Sequence, residues 1–195
     1  MLNRNSVMFT TALLAVWPAT AFANGKITGS VDAKPSKFLK DTIIYVKAVP
    51  GTKLTAKTVE IDQKGMEFFP HIVLLAAGDT VKFKNHDKVD HNVMSPDGGG
   101  YDLGTWGAGQ EKEHAFKAEG VFAQVCKIHP EMLAYVFVGQ NRLAATVDDK
   151  GAFTIDEVPA GSYELVVWNP KLKAASQKVT VVDKAAAAVK FSLAR

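Results

Sequence analysis

Sulfur ligands are scarce in this sequence, which holds one cysteine, Cys126, among 195 residues. No disulfide can form within the chain. An iron–sulfur cluster would lack most of its thiolates, and the paired-cysteine attachment of a c-type haem is excluded. Charge of one sign is also missing. The formal net charge is +3, and the lysines are scattered along the chain, so no basic stripe speaks for nucleic acid or an anionic membrane surface. The apolar run at residues 7–17 is shorter than the roughly 20 residues of a membrane-spanning helix and is closed by Pro18, so no membrane insertion is expected. Phosphate-cradling glycine loops, a catalytic-triad order and a zinc-protease helix motif are absent as well, and an enzyme is not expected.

What is present begins with an export signal. A basic start at Arg4, the apolar run and small residues at Ala21 and Ala23 match a secretory signal peptide over residues 1–23, cleaved after "AFA". The mature chain is then expected in the periplasm. Beyond Asn24 the sequence reads as strands, because short runs rich in Val, Ile, Phe and Thr are separated by Gly, Asp, Asn and Pro. Residues 42–49, 57–62, 71–85 with a turn at Gly78-Asp79, 120–126, 133–138, 152–156, 162–168, 177–182 and 189–193 fit this pattern. The alanine-rich stretch 184–190 is read as a loop. Three successive glycines and Pro96 make residues 91–113 the longest interval expected to lack strands, and such a loop is commonly functional. The fold class is all-β, with a domain boundary near residues 139–141.

The motif that decides the chemistry is "VCKIHPEM", residues 125–132. Cys126, His129 and Met132 follow one another at three-residue intervals and offer a thiolate, an imidazole and a thioether. A lone cysteine is ordinarily a small buried hydrophobe and a lone methionine ordinarily fills core space. Together in an exported chain, beside a histidine, they form a soft-metal donor set. Copper in electron-transfer sites takes one thiolate, two imidazoles and a weak thioether, whereas zinc prefers closed sets without methionine. A second imidazole must therefore arrive from elsewhere. Of His71, His86, His91 and His114, the best candidate is His91, which opens the long glycine-rich interval.

The segment "GMEFFPHIVLLAAGDTVKFKNHDKVDHNV" followed by "GVFAQVCKIHPEM" resembles the cupredoxins, the small blue copper proteins of the plastocyanin and amicyanin kind, over residues 57–138. The Cys-x-x-His-x-x-Met spacing is similar to the short ligand loop of amicyanin. The resemblance implies a Greek-key β-sandwich holding one copper ion through His91, Cys126, His129 and Met132. It also implies that Asn92 braces the ligand loop and that a backbone N–H near the sulfur tunes its potential. The whole chain resembles periplasmic proteins labelled methylamine utilisation proteins, in which such a module accompanies a carboxypeptidase-regulatory-like, transthyretin-type β-sandwich. On that likeness residues 24–56 and 139–195 are two parts of a second small sandwich, with the copper domain, residues 57–138, inserted between them. The alternative is that residues 25–51 extend the copper domain's own sheet.

What the resemblance implies about function is one-electron transport in the periplasm. The partner would be a redox protein, either a c-type cytochrome or a periplasmic dehydrogenase, docking on an apolar patch around His129 formed by Met94, Pro96, Pro130 and Leu133. Lys88 and Lys127 are candidates to steer an acidic partner. The competing readings are a copper carrier or buffer that hands on the ion, and a structural adaptor in which copper only stabilises the fold.

Overall fold

Gly29 shows how closely the first strand is gripped. A Cβ at this position would stand 2.2 Å from the Val189 carbonyl oxygen and 2.6 Å from the Phe153 ring, so only glycine lets the neighbouring strands approach. The computed structural model describes residues 24–98 and 100–195, and the expected signal peptide lies outside the described residues. Strand β1 (Gly25–Ala33) is followed by a short 3-10 turn (Ser36–Asp41) and β2 (Ile43–Val46). Nine strands come next: β3 (Thr58–Gln63), β4 (Phe68–Phe69), β5 (Ile72–Ala76), β6 (Thr80–Asn85), β7 (His91–Ser95), β8 (Tyr101–Trp106), β9 (Glu111–Ala115), β10 (Gly120–Val125) and β11 (Leu133–Gly139). The chain closes with β12 (Ala144–Thr146), β13 (Ala152–Val158), β14 (Gly161–Trp168), β15 (Gln177–Val181) and β16 (Ala186–Leu193).

These strands form two sandwiches. One packs the sheet β4-β3-β6-β9 against β5-β11-β10-β7-β8 around Ile61, Val81, Phe83, Val93, Phe122 and Val136. The other packs β13-β1-β16 against β12-β2-β14-β15 around Ile27, Ile44, Phe153, Leu165 and Phe191. Alternation builds both: along β6, Val81, Phe83 and Asn85 are buried while Thr80, Lys82 and Lys84 are only half-buried. The β12–β13 turn "DDKG" places Gly151 at φ 82°, directly over the Val31 carbonyl oxygen, where a Cβ would stand 2.2 Å away.

Two expectations are corrected. The interval 91–113, read as strandless, contains β7, β8 and the start of β9. Its glycines do not break the sheet because Gly98 and Gly100 form the β7–β8 turn at positive φ. Gly104, also at positive φ, lies on the edge strand β8, near a register shift between Asn92 and Met94. The stretch 184–190, read as a loop, supplies most of β16, which pairs in parallel with β1 from Lys26↔Ala186 to Ala33↔Leu193. A partner strand overrides the helical preference of alanine there.

The two sandwiches touch along β11, which is buried on both faces from Ala134 to Gly139. Its outer face meets the second sandwich: Phe137 packs on Tyr45 at 4.7 Å between ring centroids and Tyr135 on Trp168 at 5.1 Å. A clamp closes the junction, in which the Arg142 guanidinium binds both carboxylate oxygens of Asp79 and donates to the Thr55 carbonyl at 2.8 Å. Burial alone would raise the Asp79 pKa, but Arg142 and the N–H groups of Ala76 and Lys57 outweigh it and hold the carboxyl at about 2.

Candidate metal centre

Strand β7 delivers His91 and Asn92 to one end of the first sandwich, and the turn after β10 delivers Cys126 and His129 to the same end. The loop is closed by the Met132 N–H donating to the His129 carbonyl at 3.0 Å, after which β11 begins. Three donor groups converge. His91 Nδ1 stands 3.0 Å from His129 Nδ1, and Cys126 Sγ is 3.9 Å from His129 Nδ1; the three ligand atoms lie within 4.8 Å of one another. Met132 is fully buried in the same cluster as Cys126. This donor chemistry, one thiolate and two imidazole nitrogens on separate chain segments with a thioether on the same loop, fits a soft metal such as copper.

The donors are held from behind. His91 is 0 % exposed, and its Nε2 donates to Asp87 Oδ2 at 2.8 Å, so Nδ1 is the ring nitrogen turned toward His129. Asp87 also accepts from the N–H groups of Gly65 at 2.6 Å and Met66 at 2.9 Å. Burial pushes its pKa up, but these two N–H groups and His91 prevail, keeping the carboxyl below its ordinary value. On the other side the Asn92 N–H donates to Cys126 Sγ at 3.3 Å, while Asn92 Oδ1 accepts from the Lys127 N–H at 3.3 Å. The Asn92 amide nitrogen donates to Asp102 Oδ1 at 2.7 Å and the Gly104 carbonyl at 3.0 Å. Asp102 in turn pairs with Lys127 Nζ at 2.6 Å; that ammonium, the Gly104 N–H and Asn92 hold its carboxyl at about 2. Lys127 is therefore occupied within the site.

Residues 55–139 match the family model for copper binding proteins of the plastocyanin/azurin family. This region is a cupredoxin domain. Over 84 residues the chain is 42 % identical to a pseudoazurin of Methylorubrum extorquens, a stretch that makes up 40 % of this chain and 55 % of the relative. The chain thus spans about half the length of the curated relative it matches. Among solved structures, a reduced tryptophan-to-tyrosine variant of amicyanin matches with a TM-score of 0.40 and 24 % identity, covering 42 % of this chain and 81 % of that one. A purple cupredoxin from Nitrosopumilus maritimus matches with a TM-score of 0.38 and 27 % identity, covering 41 % and 98 %. Residues 143–189, in the second sandwich, match a model described as polysaccharide lyase family 4, domain II.

The other histidines of the cupredoxin domain have different partners. His71 lies between the Leu133 carbonyl at 3.0 Å and Asp41 at 2.8 Å, His86 bonds Asp62 at 2.7 Å, and His114 stacks on Tyr101 at 3.7 Å between centroids. Of the residues expected around a docking patch, Pro96, Pro130 and Leu133 are exposed, while Met94 is half-buried and pairs with Val125. Sequence reasoning missed Ile128 and Phe69, 46 % and 72 % exposed, because nothing local distinguishes an apolar residue that faces solvent from one that faces the core. It also missed Asp87 and Asp102. Asp87 lies four residues before His91, a spacing without meaning outside a helix, and Asp102 reaches Asn92 only through the β7–β8 pairing.

Proposed function

We propose that this chain is a periplasmic one-electron carrier rather than an enzyme, its copper held by His91 Nδ1, Cys126 Sγ, His129 Nδ1 and the Met132 thioether. Copper bound there supplies a Cu(I)/Cu(II) couple. The protein supplies a donor set held in advance by hydrogen bonds, so the site resists rearrangement when charge changes. The observation that carries this reading is the meeting of two Nδ1 atoms and one Sγ within 4.8 Å, drawn from a strand and a loop far apart in sequence. His129 is partly exposed and is flanked by exposed Ile128 and Pro130, which supports docking of a redox protein, a c-type cytochrome or periplasmic dehydrogenase, over that edge. The division into a cupredoxin domain at 57–138 inserted in a second sandwich made of 24–56 and 139–195 is supported by strand pairing, since β1 pairs with β13 and β16, and β2 with β12 and β14.

The test is spectroscopic. Copper added to the mature protein should produce an intense visible thiolate-to-copper band and the paramagnetic resonance of a thiolate-bound Cu(II), both abolished in Cys126→Ser. The protein should also cycle reversibly between its two redox states without releasing metal to a chelator. Release on reduction would instead mark a protein that hands on the ion.

A further inference from the structure

The two imidazoles of the site are unequal. His91 is sealed from solvent and donates through Nε2 to Asp87 at 2.8 Å, whereas His129 is partly exposed and, among the described residues, its Nε2 has no hydrogen-bond partner. Asp87 is itself built into the fold. Its Oδ1 accepts from the Gly65 N–H and its Oδ2 from the Met66 N–H, two successive amides in the turn between β3 and β4 that both have positive φ, 68° and 58°. Consecutive amides in such a turn form a concavity suited to an anion. The Asp87 N–H donates to Asn85 Oδ1 at 2.9 Å, and the Asn85 amide nitrogen donates to the carbonyls of Val89 at 2.9 Å and Trp106 at 3.1 Å. The carboxylate is thus locked on two sides before any metal arrives, and one of its oxygens faces the back of a metal-facing ring.

We propose that Asp87 is a positioning residue of the metal site: it holds the His91 proton on Nε2, aims the bare Nδ1 at the metal, and through its negative charge favours the more oxidised state of the bound ion. The inference rests on the copper reading above and deepens it. A carboxylate behind an imidazole makes the ring a stronger donor and fixes its tautomer, and loss of such a partner typically weakens metal binding by about 10–100-fold. His91 has no access to water, so solvent cannot replace the carboxylate. The other charged residues of this loop, Lys88 and Asp90, are solvent-exposed and make no ion pair among the described residues, so Asp87 is the loop's carboxylate that touches the ring.

The test compares wild type, Asp87→Asn and Asp87→Glu in the mature full chain. Zn2+ affinity, read by competition with a chromophoric chelator, should fall ~10–100-fold in Asp87→Asn and recover in part in Asp87→Glu. The reduction potential of the copper-loaded protein should rise in Asp87→Asn. A merely structural anchor for the turn would lower the melting temperature of the metal-free protein and leave both readouts unmoved; that result overturns the inference. Should the variants fail to fold, 15N spectra of the Zn2+-loaded wild type decide instead. A protonated Nε2 on His91 upholds the proposal, and a protonated Nδ1 overturns it. Failure of the copper reading looks different, because the wild type itself would then show no thiolate–copper band, and the inference would fall with it.

Discussion

The two sandwiches of this chain are both built from short strands, yet their interiors differ in how much polarity they bury. The second sandwich buries an apolar cluster, with Ile27, Val31, Leu165, Val181, Phe191 and Leu193 among its members. The cupredoxin domain buries Gln63, Asn85, His91, Asn92, Ser95 and Gln124 beside its apolar core. Burying such groups is unfavourable unless each finds a partner. Most do: Asn85 and Asn92 each make several hydrogen bonds, and Tyr101 donates to Gln124. The buried side-chain atoms left without partners among the described residues, Gln63 Oε1 and Trp106 Nε1, also belong to the cupredoxin domain. The contrast is one of degree: the cupredoxin domain buries several polar side chains around the candidate donors, whereas the second sandwich buries Thr42 and Asn141, both hydrogen-bonded, beside its apolar cluster.

That contrast can be broken by experiment. The largest stability effect should come from Phe191→Ala, which opens a cavity in the apolar core of the second sandwich and should cost about 3–5 kcal/mol in denaturant unfolding. Metal affinity should stay at the wild-type value, and an equal loss there would mean that the two bodies fold as one unit. The junction comes next. The Asp79 side chain is 1 % exposed, and its pKa is lowered from 3.8 to about 2, so it contributes about 2 kcal/mol of stability. Because the folded-state value is the lower one, this contribution is complete above pH 3.8 and disappears as pH falls through 2. An acid titration of stability should show that loss, and Arg142→Met should flatten it. The smallest effect belongs to Asp102→Asn. The Asp102 side chain is 39 % exposed and its ion pair with Lys127 is a surface pair, so stability should change by no more than about 1 kcal/mol. The visible band should nevertheless shift, since Asp102 holds the side-chain amide of Asn92, whose backbone N–H donates to Cys126 Sγ; an unshifted band would make that brace irrelevant to the sulfur.

Much of this was legible before any coordinates. The runs rich in Val, Ile, Phe and Thr at residues 57–62 and 71–85 foreshadowed β3, β5 and β6, and the Cys126, His129, Met132 spacing pointed to the metal chemistry. The interval 91–113 was misread because glycine was counted as a breaker when its positions fall at turns and on an edge strand, where they do little harm. The start of β16 was misread, although residues 189–193 were read as a strand, because four alanines carry no alternating pattern; only β1 beside them makes them a strand. Asp87 was invisible, since its value lies in what it touches and not in its neighbours along the chain.

Three soft-metal donor types, Cys126, His129 and Met132, stand within seven residues, so the composition of one loop was enough to suggest the metal's preferences. Nothing local could bring in the fourth. His91 lies 38 positions before His129, and it reaches 3.0 Å from it only because β7 pairs with β8 and β10 in one sheet. The orientation of that ring is a matter of folding for the same reason: a turn between β3 and β4 grips Asp87, and Asp87 grips the imidazole, through hydrogen bonds between segments that meet only once the sandwich has closed.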